Sequence, residues 1–89
     1  MNVRWRSRAR NAFLAAVDYL QHRNEIAAGE MSVAVEEAAG LLSRMPSIAQ
    51  ASQYSGCRAW SLTKWSKLIV FRETPQGVEI VAFLDTRQR

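Results

Sequence analysis

Lys67-Leu68-Ile69-Val70-Phe71-Arg72-Glu73-Thr74-Pro75-Gln76-Gly77-Val78-Glu79-Ile80-Val81-Ala82-Phe83-Leu84 is the stretch that decides the fold. Two runs rich in β-branched and aromatic residues flank Thr74-Pro75-Gln76-Gly77, which places Pro at the second and Gly at the fourth position of a turn. The spacing predicts a hairpin of strands over Lys67–Glu73 and Gly77–Leu84, the first being the most β-prone run and central in its sheet. Just upstream, Cys57–Leu62 alternates with Trp60 and Leu62 on one face, a third strand. Trp65 falls in the turn between this strand and the central one.

Further out the period changes. Residues 46–56, Pro-Ser-Ile-Ala-Gln-Ala-Ser-Gln-Tyr-Ser-Gly, are small, polar and aperiodic, and read as a loop. Before them Ala28, Met31, Val35, Ala38, Leu42 and Met45 recur every three or four residues, reinforced by Ala34 and Leu41. This helix is capped by Asn24 and ends at Met45-Pro46, because proline disfavours the helical region for its predecessor. Gly29 and Gly40 weaken it, and Gly29 with the many alanines leaves room for a close neighbour. An earlier helix, with Ser7 as its N-cap, carries Ala9, Ala12, Phe13, Ala16, Val17 and Leu20 on one face and ends near Gln21–Arg23. The link at Arg23-Asn24 is so short that the two helices pack as an antiparallel hairpin. Val3 and Trp5 alternate with Arg4 and Arg6 as a short opening strand. The reading is α+β, β-α-α-β-β-β, with a helical hairpin lying on a small, mainly antiparallel sheet.

The 89 residues allow one domain, 1–89, with a core of modest size. At 48% hydrophobic and 22% charged, the composition is that of a folded globular chain. A lone Cys57 excludes an internal disulfide and a multi-thiolate zinc site, and points to a reducing, cytoplasmic compartment. A lone His22, at the polar end of the first helix, excludes a two-histidine metal site and reads as solvated surface. No run approaches the roughly 20 apolar residues that cross a bilayer. The six apolar residues Ala12–Val17 after four arginines are stopped by Asp18 and belong to the folded domain rather than to a leader. Neither a phosphate loop nor a hydrolase signature appears, and the expectation is no cofactor and no metal. Cys57, beside Arg58 but without a partnering base, is not read as a nucleophile. Trp5, Trp60 and Trp65 read as core and loop anchors rather than base-stacking platforms.

Charge is unevenly distributed. Residues 1–10 carry +4, residues 11–55 carry −3 and residues 56–89 carry +3. Such basic ends attract nucleic acid or an acidic protein partner, or simply keep a small domain soluble. Arg72 on the central strand, with Arg87 and Arg89 beyond the last one, offers guanidinium groups able to bind phosphate or carboxylate.

The order of elements and several strings resemble the RelE/ParE superfamily of bacterial toxin–antitoxin toxins over essentially the whole chain. The strings are Val3-Arg4-Trp5, Asn24-Glu25-Ile26-Ala27-Ala28 at the helix junction and Leu41-Leu42-Ser43-Arg44-Met45-Pro46. Gly56-Cys57-Arg58, Leu68-Ile69-Val70-Phe71-Arg72 and Gly77-Val78-Glu79-Ile80-Val81 complete the match. The long Ala-rich hairpin is closer to the ParE branch. That resemblance implies a toxin that binds DNA gyrase, stops it with DNA cleaved, blocks replication, arrests growth and stabilises plasmids. It also implies neutralisation by a cognate antitoxin, whose contact residues the sequence does not assign. Target-binding residues would be Arg72, Arg87 and Arg89, with no catalytic residue, no membrane, and nucleic acid met only indirectly, through gyrase or the antitoxin complex. The ribosome-dependent ribonuclease branch is the alternative, with Arg58, Lys64, Lys67, Arg72 and Arg87 stabilising phosphate charge during 2′-OH attack. A non-toxic basic binding module is the third reading. Two departures stand out: Ser66 where the family often has Pro, and Asp85 where it often has His before an arginine-rich end. After Phe83 the sequence has neither His nor an aromatic residue.

Overall fold

The computed structural model describes residues 2–87. In chain order it has β1 (Asn2–Trp5), α1 (Ser7–Arg23), α2 (Glu25–Arg44), a 3-10 turn (Pro46–Ile48), β2 (Gln50–Ala51), β3 (Arg58–Leu62), a second 3-10 turn (Thr63–Trp65), β4 (Lys67–Thr74) and β5 (Gly77–Asp85). The strands form one sheet in the order β1-β5-β4-β3-β2. All neighbours are antiparallel except β1, which runs parallel to β5. The α+β architecture expected from the sequence is therefore present, as a mixed sheet of five strands. The extra strand is β2, two residues of the expected loop that pair with β3 at Gln50↔Ala59 and Ala51↔Arg58.

The core lies between the helical hairpin and one face of the sheet. Ala9 and the partly buried Ala12, Phe13, Ala16, Val17 and Leu20 of α1 meet Ile69, Phe71, Val78, Ile80 and Phe83. From α2 come Met31, Val35, Ala38, Ala39 and Leu42. Trp5, Phe13 and Phe83 form an aromatic trio, with ring centroids 5.3–6.4 Å apart, that ties β1 and β5 to α1. Trp60 and Trp65 also pack against the core, as anchors. The contacts of β5 contain a step that simple alternation does not foresee. Val70 pairs with Ala82 but Phe71 pairs with Ile80, so Val81 is a bulge residue. The extra residue switches the inward parity, which is how Phe83 and the even-numbered Ile80 and Val78 all reach one core.

Four local expectations are corrected. Ser7 is not the N-cap of α1. Arg6 is, in extended conformation and without a capping side chain, because its N–H still donates to the Ile80 carbonyl at 3.0 Å and keeps it in the sheet. Met45 is 51% exposed rather than core, because it leaves the helix as C-cap of α2 while Ala39 turns inward. Gly29 faces open space, with no atom within 4 Å of where a Cβ would stand, so the close helix contact rests on alanines. The 46–56 segment is not wholly loop, since Ala49 is buried and β2 continues the sheet. Asn24, by contrast, caps α2 as expected, accepting from the Ala27 N–H at 3.0 Å.

Gly77 is the joint of the whole sheet. Its φ is +152°, and a Cβ there would lie 2.0 Å from the Asn2 carbonyl oxygen. Only glycine lets β1 approach β5 this closely. Even so, β1 covers only the Gly77–Ile80 part of β5. Residues 81–85 have β4 on one side and no strand on the other.

Candidate functional site

The five basic residues of the ribonuclease reading do not form one cluster. Lys67 opens β4 and Arg72 lies near its far end, about 17 Å away at the usual rise per residue. Lys64, Lys67 and Arg87 gather at the first end, where they line a hollow of about 310 Å³ with Tyr19, Arg23 and Trp65. The Lys64 ammonium sits 5.0 Å from the Trp65 ring centroid, and the Arg23 guanidinium 4.8 Å from that of Tyr19. Arg58 and Arg72 stand at the other end. Arg58 donates to the Ala49 carbonyl at 2.9 Å and lies 3.5 Å from Glu73. Arg89 lies outside the described residues.

Asp85 organises the first end. One carboxylate oxygen accepts from Lys67 Nζ at 3.2 Å and from Arg87 Nη2 at 3.1 Å. The other accepts from the Arg87 backbone N–H at 2.8 Å and from its Nε at 3.3 Å. These bonds, Arg87's side chain first and its N–H second, hold the Asp85 carboxyl well below the usual carboxylate range, with Lys67 adding to them against partial burial. Asp85 in turn raises the Arg87 guanidinium further. The ordering of 85–87 thus comes from an Asp side chain folding the chain back on itself. Sequence reading noted Asp85 as a departure but not as a clamp; its pairing with Lys67 follows only from the β4–β5 register, Lys67↔Asp85.

This end opens onto a groove of about 660 Å³ between α1 and the uncovered half of β5. Ala12, Ala15 and Ala16 form its floor on the helix side, Phe83 and Leu84 face them, and Tyr19, Lys67, Asp85 and Arg87 stand at the mouth. The small side chains are what keep the groove open.

Glu79 is the corresponding acceptor at the far end, on the sheet face away from the helices. It accepts from Arg72 Nε at 2.6 Å and lies 3.4 Å from Arg6 Nη2. Arg72 first, then Arg6, lower its pKa against partial desolvation. Arg72 is therefore held at its guanidinium by its β5 neighbour, a contact the sequence-level view of a free strand arginine missed.

His22 is exposed, 2.8 Å from the Asp18 carbonyl. Cys57 is a free, half-buried thiol. Among the described residues no group of three His, Cys, Asp or Glu could hold a metal ion. No helix among the described residues is long and apolar enough to cross a membrane.

The fold is RelE/ParE-like. A solved structure titled "Chromosomal ParDE TA system from P. aeruginosa" contains a chain to which this one is similar with a TM-score of 0.80. The two are 19% identical, and the match covers 93% of this chain and 92% of that one. No family model matches the sequence, and no curated protein matches it.

Proposed function

We propose that the chain is the toxin of a type II toxin–antitoxin system, working in the cytoplasm by binding DNA gyrase and held in check by a cognate antitoxin. The observation that carries this reading is the groove between α1 and the uncovered half of β5, set in a fold shared with a ParDE system chain. An open strand edge beside an apolar groove is a liability in a free protein and a ready template for an extended or helical partner segment. With +4 net charge on this chain, the antitoxin segment is acidic and folds on contact. Its binding weakens with salt through rim charges and persists through apolar contacts.

Binding rather than catalysis is favoured by the chemistry at Asp85. Asp85 is held ionised and Arg87 protonated, so neither passes a proton near neutral pH, as a ribonuclease mechanism requires. Arg72 and Arg87, with Arg89, are the target-binding residues of this reading. The ribonuclease alternative draws support from the gathering of Lys64, Lys67 and Arg87 around one hollow. A supercoiling assay beside an in vitro translation assay separates the two. Inhibited supercoiling with intact translation is the expected result, the reverse pattern establishes the ribonuclease, and no effect on either leaves the non-toxic binding module. Arg87→Ala with Arg89→Ala should leave a folded protein by circular dichroism that still binds its antitoxin but no longer arrests growth. Undiminished arrest would refute the role of these arginines.

A further inference from the structure

Helix α1 begins against the local rules of helix chemistry. Its N-cap is Arg6, no side chain caps it, and its first turn holds no acid. Arg8 and Arg10 stand there instead, at the positive end of the helix dipole, both exposed. Among the described residues Arg4, Arg8 and Arg10 have no carboxylate within 4.0 Å. Unfavourable charge kept without a local partner marks a place where function outweighs stability.

Part of this charge forms a continuous strip. Arg4 lies opposite Glu79 in the β1–β5 register and shares a surface hollow with Arg72, Glu79 and Glu73, the last of which is met by Arg58 at 3.5 Å. Arg6 and Arg72 both reach Glu79, and Arg10 follows one turn along α1, its N–H bonded to the Arg6 carbonyl at 2.9 Å. Long helical side chains lean toward the helix N-terminus, which carries Arg10 back over Arg6. Four guanidinium groups and one carboxylate leave the strip at net +3.

We propose that this strip binds the phosphodiester backbone of nucleic acid without reading its bases. Its surroundings select that ligand. Among the described residues every exposed large apolar side chain lies from Leu14 onward, and none falls between residues 2 and 13 or 70 and 80. A protein interface needs apolar anchors at its centre and a membrane surface needs side chains to insert. Phosphate contacts are made by charge alone, and guanidinium groups match them bidentately. The strip shares Arg72 with the gyrase reading but stands at the opposite end of β4 and β5 from Lys67, Asp85 and Arg87, and its test changes Arg4 and Arg10, which that reading does not use.

Fluorescence anisotropy of the intact chain with a mixed-sequence DNA duplex of about 20 base pairs, across a salt series, tests it. Neutralising about three phosphates predicts a log–log salt slope near −2.7. Arg4→Gln with Arg10→Gln should flatten the slope by about 1.8 and weaken binding at least about tenfold at low salt. Glu79→Gln, checked as folded by circular dichroism, should act in the opposite sense, tightening binding and steepening the slope by about 0.9. Arg23→Gln, equal in charge but at the opposite end of α1, should do less than Arg10→Gln alone. A parallel series with single-stranded RNA shows which nucleic acid supplies the phosphates; stronger binding to either supports the proposal. Unchanged binding in the Arg4/Arg10 variant, equal loss in Arg23→Gln, or equal affinity for a poly-glutamate peptide or for phosphatidylserine vesicles would overturn it.

Discussion

The two basic regions of the molecule carry similar formal charge and use it differently. At the end of β5, Asp85 takes hydrogen bonds from both Lys67 and Arg87, so two cations are fixed in place and half neutralised. Around β1 and the start of α1, only Arg6 meets a carboxylate among the described residues, and it shares Glu79 with Arg72. A count along the sequence treats these regions as equals. The register of the sheet makes one a clamp and leaves the other facing solvent with unspent charge.

The largest test of that contrast is Gly77→Ala. A Cβ at residue 77 collides with the backbone of β1, so β1 must shift or detach, taking Arg6 from Glu79. The expected cost is about 2–4 kcal/mol of stability in urea unfolding, with the Asp85 clamp untouched. A smaller effect comes with acid. Unfolded, the Asp85 and Glu79 carboxyls take up protons near about pH 4; folded, both resist until lower pH. In that window the unfolded chain binds more protons, so stability present at neutral pH is lost as pH falls through the folded values. Asp85→Asn and Glu79→Gln should each flatten the acid limb of a thermal-midpoint profile, and an unchanged limb would remove that carboxylate from the account. The smallest effect separates the regions by sign. Arg8→Glu places an acid at the positive end of α1 and should raise stability by about 0.5–1 kcal/mol. Arg87→Ala should lower it instead, because Asp85 loses its first partner. Equilibrium denaturation of the two variants side by side reads both signs.

Most of the architecture was legible from periodicity. The six apolar positions of α1 all face the core, and the Thr74–Gly77 turn joins two strands that pair from Thr74↔Gly77 onward. What the sequence did not disclose depends on pairing between distant strands. The bulge at Val81 has no local signal beyond three-residue spacing between Ile80 and Phe83, and two-residue β2 is too short for any period to register. The candidate site was legible as residue types and not as groups. Lys67, Arg72 and Arg87 were all singled out, yet which carboxylate holds each depends on register. For the same reason Ser66, at φ +56°, stands where proline cannot: the turn into β4 needs a left-handed residue and proline is fixed near −65°.

Pairing β1 in parallel with β5 also bears on the order of folding. The β4–β5 hairpin closes through Pro75 and Gln76 and can form within microseconds. Docking Asn2 against Gly77 must close a loop of nearly the whole chain, an entropic cost that local elements avoid. β1 should therefore arrive last and, as a four-residue edge strand, open first in hydrogen exchange. Each such opening releases Arg6 from Glu79, so the cationic strip would be assembled and dissolved many times while the rest of the sheet stays shut.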